Sequence, residues 1–310
     1  MKENQNYSNE TVHKPVLLQE IIENLNLSKN SIVFDGTLGG AGYSEEIIKK
    51  ISPDGILIAT DLDQNALKRS EERLKKFKIK KYFFQKNYSK IDEILEELKI
   101  EKIDNMVLDL GISSDQLASS GRGISFQNLN ETLDMNLNTE KSENQFTASE
   151  ILNTWTEENL ADIFFFYGGE KASRKVSKAI VEFRKEKEFK IVKDLVDLIE
   201  SEIGYFYKNK KISSATKIFQ ALRITVNDEI QNLEKTLRLV PKILKEGGII
   251  AVVTFHSLED RVVKRIFREF EDNKIAKRIN KKVIKPGEKE IKENPRSRSA
   301  KLRLLKIGNI

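Results

Sequence analysis

The 310-residue chain contains no cysteine, which excludes disulfide frameworks, cysteine-held zinc, iron–sulfur clusters and thiol nucleophiles together. It has two histidines, His13 and His256, too few for a histidine-built metal centre without several carboxylates, so no metal is expected. No uninterrupted apolar run comes near the ~18 residues that a membrane span needs. The N-terminal stretch lacks the charged start and apolar centre of a signal peptide, and the expectation is a cytoplasmic protein with no membrane partner. What the chain does have is 39% hydrophobic and 33% charged residues, the balance of a soluble globular protein. Lysine and arginine number 54 against 48 acids, and the net charge of +6 leans toward polyanionic partners.

Residues 1–12 are polar and patternless and read as a flexible arm. From His13 onward, short β-rich runs at Ser31–Phe34, Gly55–Thr60, Lys81–Gln85 and Asn105–Leu108 alternate with amphipathic runs at Ser44–Ile51, Asn65–Phe77 and Lys90–Leu98. Such alternation predicts an α/β fold on a parallel sheet. The rhythm stops after Leu117. A Ser-, Gly- and Asn-rich stretch gives way to helices, the first opened by a capping box of Thr147 and Glu150, the next carrying Ala172, Val176, Ala179, Ile180 and Phe183 on one face. We read residues 118–213 as an inserted helical subdomain interrupting an α/β domain of residues 13–117 and 214–310. That domain resumes with one long helix, Ala215–Leu239, then a buried strand at Ile249–Phe255, a charged helix at Leu258–Phe270 and a last strand at Ala300–Ile307.

The string Asp35-Gly36-Thr37-Leu38-Gly39-Gly40-Ala41-Gly42 follows the first strand and opens a helix, the setting in which a ligand approaches bare backbone. Asp61 ends the second strand 22 residues after Gly39, close to the ~20 typical of a carboxylate that holds ribose hydroxyls. A dinucleotide would bring a pyrophosphate to this turn, and Asp35 at its mouth would repel it. S-adenosyl-L-methionine brings an ammonium and a sulfonium, which Asp35 and Asp109 attract. That cofactor is therefore expected, with Gly39 to Gly42 at its methionine part, Asp61 at its ribose, Tyr88 against its adenine and Asp109 in the crevice where open sheets bind ligands.

Strings along almost the whole chain resemble one family. They are His13-Lys14-Pro15-Val16-Leu17-Leu18, the glycine turn, Asp61-Leu62-Asp63, Asp109-Leu110-Gly111-Ile112-Ser113-Ser114 with Gln116, and Gly121-Arg122-Gly123. Further on come Leu133-Asp134-Met135, Phe219-Gln220-Ala221-Leu222-Arg223-Ile224 with Val226-Asn227, Phe255-His256-Ser257-Leu258-Glu259-Asp260-Arg261, and Asn294-Pro295-Arg296-Ser297-Arg298-Ser299. In this order they resemble the ribosomal RNA small-subunit methyltransferase H family, whose members methylate N4 of a cytosine in 16S ribosomal RNA. The resemblance implies a Rossmann-like methyltransferase sheet, a substrate-recognition role for the helical insert, and the small ribosomal subunit as partner. It also implies cofactor contacts at Gly40, Ala41, Gly42, Tyr43, Asp61, Tyr88, Asp109 and Gln116. The chain departs from the family pattern at Ala41, Tyr43 and Tyr88, where Gly, His and Phe are usual, and at Asn136 and Gly169, where Arg and Glu are usual.

An exocyclic cytosine amine is a poor nucleophile because its lone pair is delocalised into the ring, so acceptors must hold its hydrogens while a methyl group is aligned in front of the nitrogen. Asp109 and the carbonyls through Gly111 are the expected acceptors, and Phe126, Tyr167 or Phe255 the stacking aromatic. His256 is a candidate proton acceptor, with a helix cap as the plainer role for the string that contains it. Gln220, Arg223 and Asn227 share one helix stripe and are expected to floor the substrate pocket. Arg122, Arg296 and Arg298, together with Lys171 to Lys185, Lys301 and Arg303, are the expected RNA contacts. Two other readings fit the same residues: a ribosome assembly factor that binds the cofactor without turnover, and a methyltransferase for another base or for protein.

Overall fold

The computed structural model describes residues 15–112, 121–138, 145–210 and 212–308. The expected contact Gln116, with His13, Ser113 and Ser114, lies outside the described residues. Strands β1 (Ile32–Asp35), β2 (Ile56–Thr60), β3 (Lys80–Phe84), β4 (Ile103–Asp109), β5 (Leu244–Thr254), β6 (Ala276–Arg278) and β7 (Lys301–Ile307) form one sheet in the order β3-β2-β1-β4-β5-β7-β6. Strands β1 to β5 pair in parallel, while β7 runs antiparallel to both β5 and β6. This is a Rossmann-like, doubly wound α/β sheet. The order reverses between β1 and β4, the switch point at which such sheets open a crevice at their carboxyl ends. Asp35 and Asp109 end those two strands.

Successive strand residues point to opposite faces, and both faces are buried. One face packs Phe34, Ile58, Met106, Leu108, Ile250 and Val252 against α4 (Ile91–Glu97), α10 (Glu229–Ile243) and α11 (Ser257–Asp272). The other packs Val33, Leu57, Ala59, Val107, Ala251 and Val253 against α1 (Leu18–Asn24), α2 (Gly42–Ile51) and α3 (Gln64–Leu74). A third apolar cluster joins α5 (Ala148–Thr154), α6 (Glu157–Phe166), α7 (Ser173–Phe183), α8 (Val192–Ile203) and α9 (Ala215–Val226). Its members include Ala215, Ile218, Phe219 and Leu222, so the helical unit reaches past residue 213 and takes in α9.

The single helix expected over Ala215–Leu239 is two, α9 and α10, parted at Asn227 and at Asp228, whose φ of 48° is left-handed. The apolar stripe runs through the break without a change of period, which hid it. The cause is tertiary: the Asn227 carboxamide donates to the Met135 carbonyl and accepts from the Leu137 amide, tying the helix end to a distant loop. The lysine-rich connector after α11 also supplies the short edge strand β6 and the helix α12 (Glu288–Glu293).

Candidate functional site

The turn after β1 is clamped from three sides. The Gly36 amide donates to the Val107 carbonyl and the Leu38 amide to the Thr60 carbonyl, so the loop continues the sheet on both flanks. A side chain at Gly36 would meet Leu108 at 2.4 Å, so glycine is required. The Asp61 carboxylate accepts from the Gly39 amide at 2.8 Å and from the Asp63 amide at 2.9 Å, and Asp63 caps α3 through the Asn65 amide. The Thr37 hydroxyl accepts from the Asp109 amide at 2.7 Å and locks the end of β4 to the end of β1. Sequence patterning passed over Thr37, which carries no signal beyond its place in the turn.

A cleft runs from Gly39, Gly40, Gly42 and Tyr43 past Asp61 and Tyr88 to Asp109 and Phe255. Ala41 is not part of its lining: its methyl group is wholly buried in the core, and its φ is 60°. Of the three candidate aromatics, Phe255 lines this cleft, Tyr167 lines a neighbouring cavity, and Phe126 packs edge-on against Phe219 in the helical unit. Gly111, at φ 111°, leaves room for that ring, since a Cβ there would lie 3.3 Å from Phe255. A smaller recess of about 70 Å³ continues inward from the same mouth, between Thr37, Gly111, Asn227, Glu229 and Glu259.

Asp109 Oδ1 is buried with no hydrogen-bond partner among the described residues. Burial, with the neighbouring Asp35 charge, pushes its carboxyl up to about 8. Asp35 is a correction to the expectation of an anion at the cleft mouth: it is fully buried beneath the turn, where Ser44 donates to Oδ2 and the Thr37 amide to Oδ1. Burial holds it at about 6 despite those bonds. Tyr43 donates its hydroxyl to the Val16 carbonyl, anchoring the segment before α1 over the glycine turn. Burial and the nearby charges of Asp109 and Asp35 keep that phenol protonated.

The polar stripe of α9, expected to floor a substrate pocket, is engaged within the protein. Arg223 forms a forked ion pair with Glu229, Nε to Oε1 at 2.7 Å and Nη2 to Oε2 at 2.9 Å, across the helix break. Gln220 donates to the Tyr167 carbonyl at the end of α6. Asn227 does line the inner recess, but its amide is spent on Met135, Arg223 and Leu137. Arg122, expected on RNA, donates to the carbonyls of Asn136 and Leu137 and so fastens the same loop. Helical spacing revealed that these polar groups share a face and said nothing of what that face meets.

His256 is likewise not among the residues lining the cleft or the recess. It is the N-cap of α11: Nδ1 accepts from the Glu259 amide, while Glu259 Oε2 accepts from the amides of Phe255 and His256. Nε2 lies 3.0 Å from Glu259 Oε1 but off the line that a hydrogen bond needs. Burial pushes the Glu259 carboxyl up, and the His256 and backbone bonds together with the Arg223 charge outweigh it, leaving a carboxylate below the usual range. Potential metal-ligand atoms of Glu229, His256 and Glu259 come within 4.8 Å of one another, where Arg223 already neutralises Glu229.

A family model described as the MraW methylase family matches residues 10–307. The chain belongs to the MraW methylase family. It is 45% identical to a ribosomal RNA small subunit methyltransferase H of Dictyoglomus thermophilum, over 95% of this chain and 96% of that protein. The same-named protein of Dictyoglomus turgidum is 46% identical over 95% of this chain and 97% of its own length, and that of Clostridioides difficile 39% identical over 94% and 97%. As a member of this family the protein is a methyltransferase. Arg296 and Arg298, both exposed, stand on a short 3₁₀ segment, Pro295–Ser299, just before β7. Lys301 and Arg303, grouped with them from the sequence, are instead paired with Asp260 at 3.0 and 2.7 Å. No helix among the described residues is long and apolar enough to cross a membrane.

Proposed function

We propose that the protein transfers the methyl group of S-adenosylmethionine to N4 of a cytosine in the 16S RNA of the small ribosomal subunit, acting in the cytoplasm. The observation that carries this reading is the buried, unpartnered Oδ1 of Asp109 at the inner end of a cleft that begins on bare glycine backbone. The residues suit the cofactor. Gly39 and Gly40 let its methionine part lie on the turn, and Asp61, which accepts from the amides of Gly39 and Asp63, has further lone-pair capacity for a ribose hydroxyl. Oδ1 of Asp109, without a partner among the described residues, is free to face a cation.

When bound, S-adenosylmethionine supplies an electrophilic methyl group. The protein's part is to position and polarise the amine. Asp109 is favoured in its ionised form by the positive charge of the cofactor; that carboxylate accepts the amine hydrogens, draws the lone pair toward N4, and takes up the proton released once the new bond forms. Phe255 flanks the base, and the inner recess between Gly111 and Glu259 holds its far edge. His256 serves by capping α11 and fixing Glu259 and Phe255, which makes it a positioning residue. Arg296 and Arg298 contact RNA phosphates.

Labelled methyl transfer to small ribosomal subunits, naked ribosomal RNA and bulk protein, followed by nucleoside mass spectrometry, tests the proposal. Label recovered as N4-methylcytidine is the expected result. Label on another base or on protein, or none in any sample from protein that binds the cofactor, overturns it.

A further inference from the structure

A second cavity, of about 570 Å³, opens between the helical unit and the sheet, within the size range of small-molecule sites. It shares Leu62 and Asn87 with the cofactor cleft, so the two have a common rim. Its chemistry differs from an RNA-backbone groove. No lysine, arginine or histidine is among its described lining residues, and Asp228 is the one acid, an arrangement that repels phosphate. The polar lining is dominated by carboxamides, from Asn87, Asn138, Gln145, Asn227, Gln231 and Asn232. The aromatic lining is Phe146, Trp155 and Tyr167, with Phe146 half exposed and edge-on to Trp155 at 6.1 Å between ring centres.

Several of these groups have spare valences. Neither the Gln231 carboxamide, the Tyr167 hydroxyl nor the Trp155 indole N–H has a hydrogen-bond partner among the described residues. Flat aromatic faces, the unpartnered carboxamide of Gln231 and no cation among the described lining match a neutral heteroaromatic ring that presents both kinds of hydrogen-bonding group. A nucleobase is such a ring, and unstacked bases are what aromatic side chains take from single-stranded RNA.

We propose that this cavity receives a second, unstacked nucleobase of the RNA, a near neighbour of the base entering the cofactor cleft. This rests on the RNA methylation proposed above. The helical unit thereby selects substrate by holding two bases out of the stack at once, one at Asp109 and one beside Trp155.

Trp155 is the single tryptophan of the chain, so its fluorescence reports on this cavity alone. The protein is titrated with mixed-sequence single-stranded hexaribonucleotides, and in parallel with inorganic phosphate and ribose 5-phosphate. Saturable quenching by the oligonucleotides and none by the two phosphates is expected. Phe146→Ala and Gln231→Ala, both at exposed side chains, should each weaken oligonucleotide binding about fivefold to tenfold, with S-adenosylmethionine affinity and melting temperature unchanged. No saturable quenching, an equal response to phosphate, or wild-type binding by both variants overturns the proposal. Quenching that persists and responds to the variants while ribosomal RNA is not methylated would retain the base site and reject the reaction. Methylation without base-dependent quenching would reject the cavity alone.

Discussion

The Asp61 carboxylate accepts a hydrogen bond from the Gly39 amide, 2.8 Å away and 22 residues earlier in the chain. The acid that ends β2 therefore shapes the turn that ends β1, in addition to facing the cleft. Asp61→Ala removes both functions, and Asp61→Asn separates them, because a carboxamide oxygen still accepts from Gly39. We predict that Asp61→Asn melts within a few degrees of wild type and binds S-adenosylmethionine roughly 10- to 100-fold more weakly, the worth of a charged hydrogen bond. Calorimetric affinity equal to wild type would remove Asp61 from the ribose.

Asp35 and Asp109 bind protons in the folded state, to about 6 and about 8, that a carboxyl of ordinary value near 3.8 would release. The folded form thus holds more protons than the unfolded form over this window, and stability is full below about pH 4 and falls as pH rises through 6 and then 8. For Asp35 alone the loss is of order 3 kcal/mol. Melting temperatures of the ligand-free protein should decline between pH 5 and 9. Asp109→Asn should flatten the decline between pH 6 and 8, and parallel curves for the two proteins would contradict the assignment.

Turnover separates the two acids differently. Asp109→Asn keeps the shape and loses the proton acceptor, so kcat should fall at least 100-fold while cofactor affinity falls less. His256→Asn retains a capping side chain and should keep most of the wild-type kcat, because the imidazole is held by α11 and stands outside the cleft. Loss of kcat without loss of melting temperature in His256→Asn would return it to the chemistry.

Arg223 and Glu229 pair across the break between α9 and α10. Arg223→Met leaves Glu229 without its partner in a largely buried setting, at a cost of about 3–5 kcal/mol and a melting temperature lower by roughly 10 °C. Adding Glu229→Gln should recover most of that loss. Cofactor affinity of the folded fraction should not change, whereas a substrate-binding arginine would lower RNA affinity with no effect on melting.

Arg296 and Arg298 are exposed. Replacing both by alanine should reduce the slope of log affinity for ribosomal RNA against log salt by about 1.5 and leave S-adenosylmethionine binding untouched. An unchanged slope would place the phosphate contacts elsewhere.

The alternation of short apolar runs with amphipathic runs was enough to read β1 to β5 and their helices, because each periodicity reports locally which face is buried. The glycine turn and the Asp61 spacing were legible for a related reason, since both belong to one strand–turn–helix unit. Arg122, Gln220, Arg223 and Asn227 were expected to be substrate contacts, and the structure gives each of them partners within the protein. Their partners are the Asn136 and Leu137 carbonyls, the Tyr167 carbonyl, Glu229, and the loop at Met135. Those partners lie on other elements, and periodicity shows that polar side chains share a face without showing what covers it.

By itself the sequence determined the class of sheet, the turn that meets the cofactor, the acids at the strand ends and, through motif order, the family. Only the tertiary structure decided that the helix after residue 214 breaks at Asn227, that His256 is a cap, that Asp35 lies under the turn while Oδ1 of Asp109 has no partner among the described residues, and that a cavity with no cation among its described lining lies beside the cleft. The physical reason is the range of the forces involved. Local backbone preference and side-chain period act within a few residues, whereas burial, desolvation and hydrogen-bond satisfaction depend on which distant segments arrive at the same place.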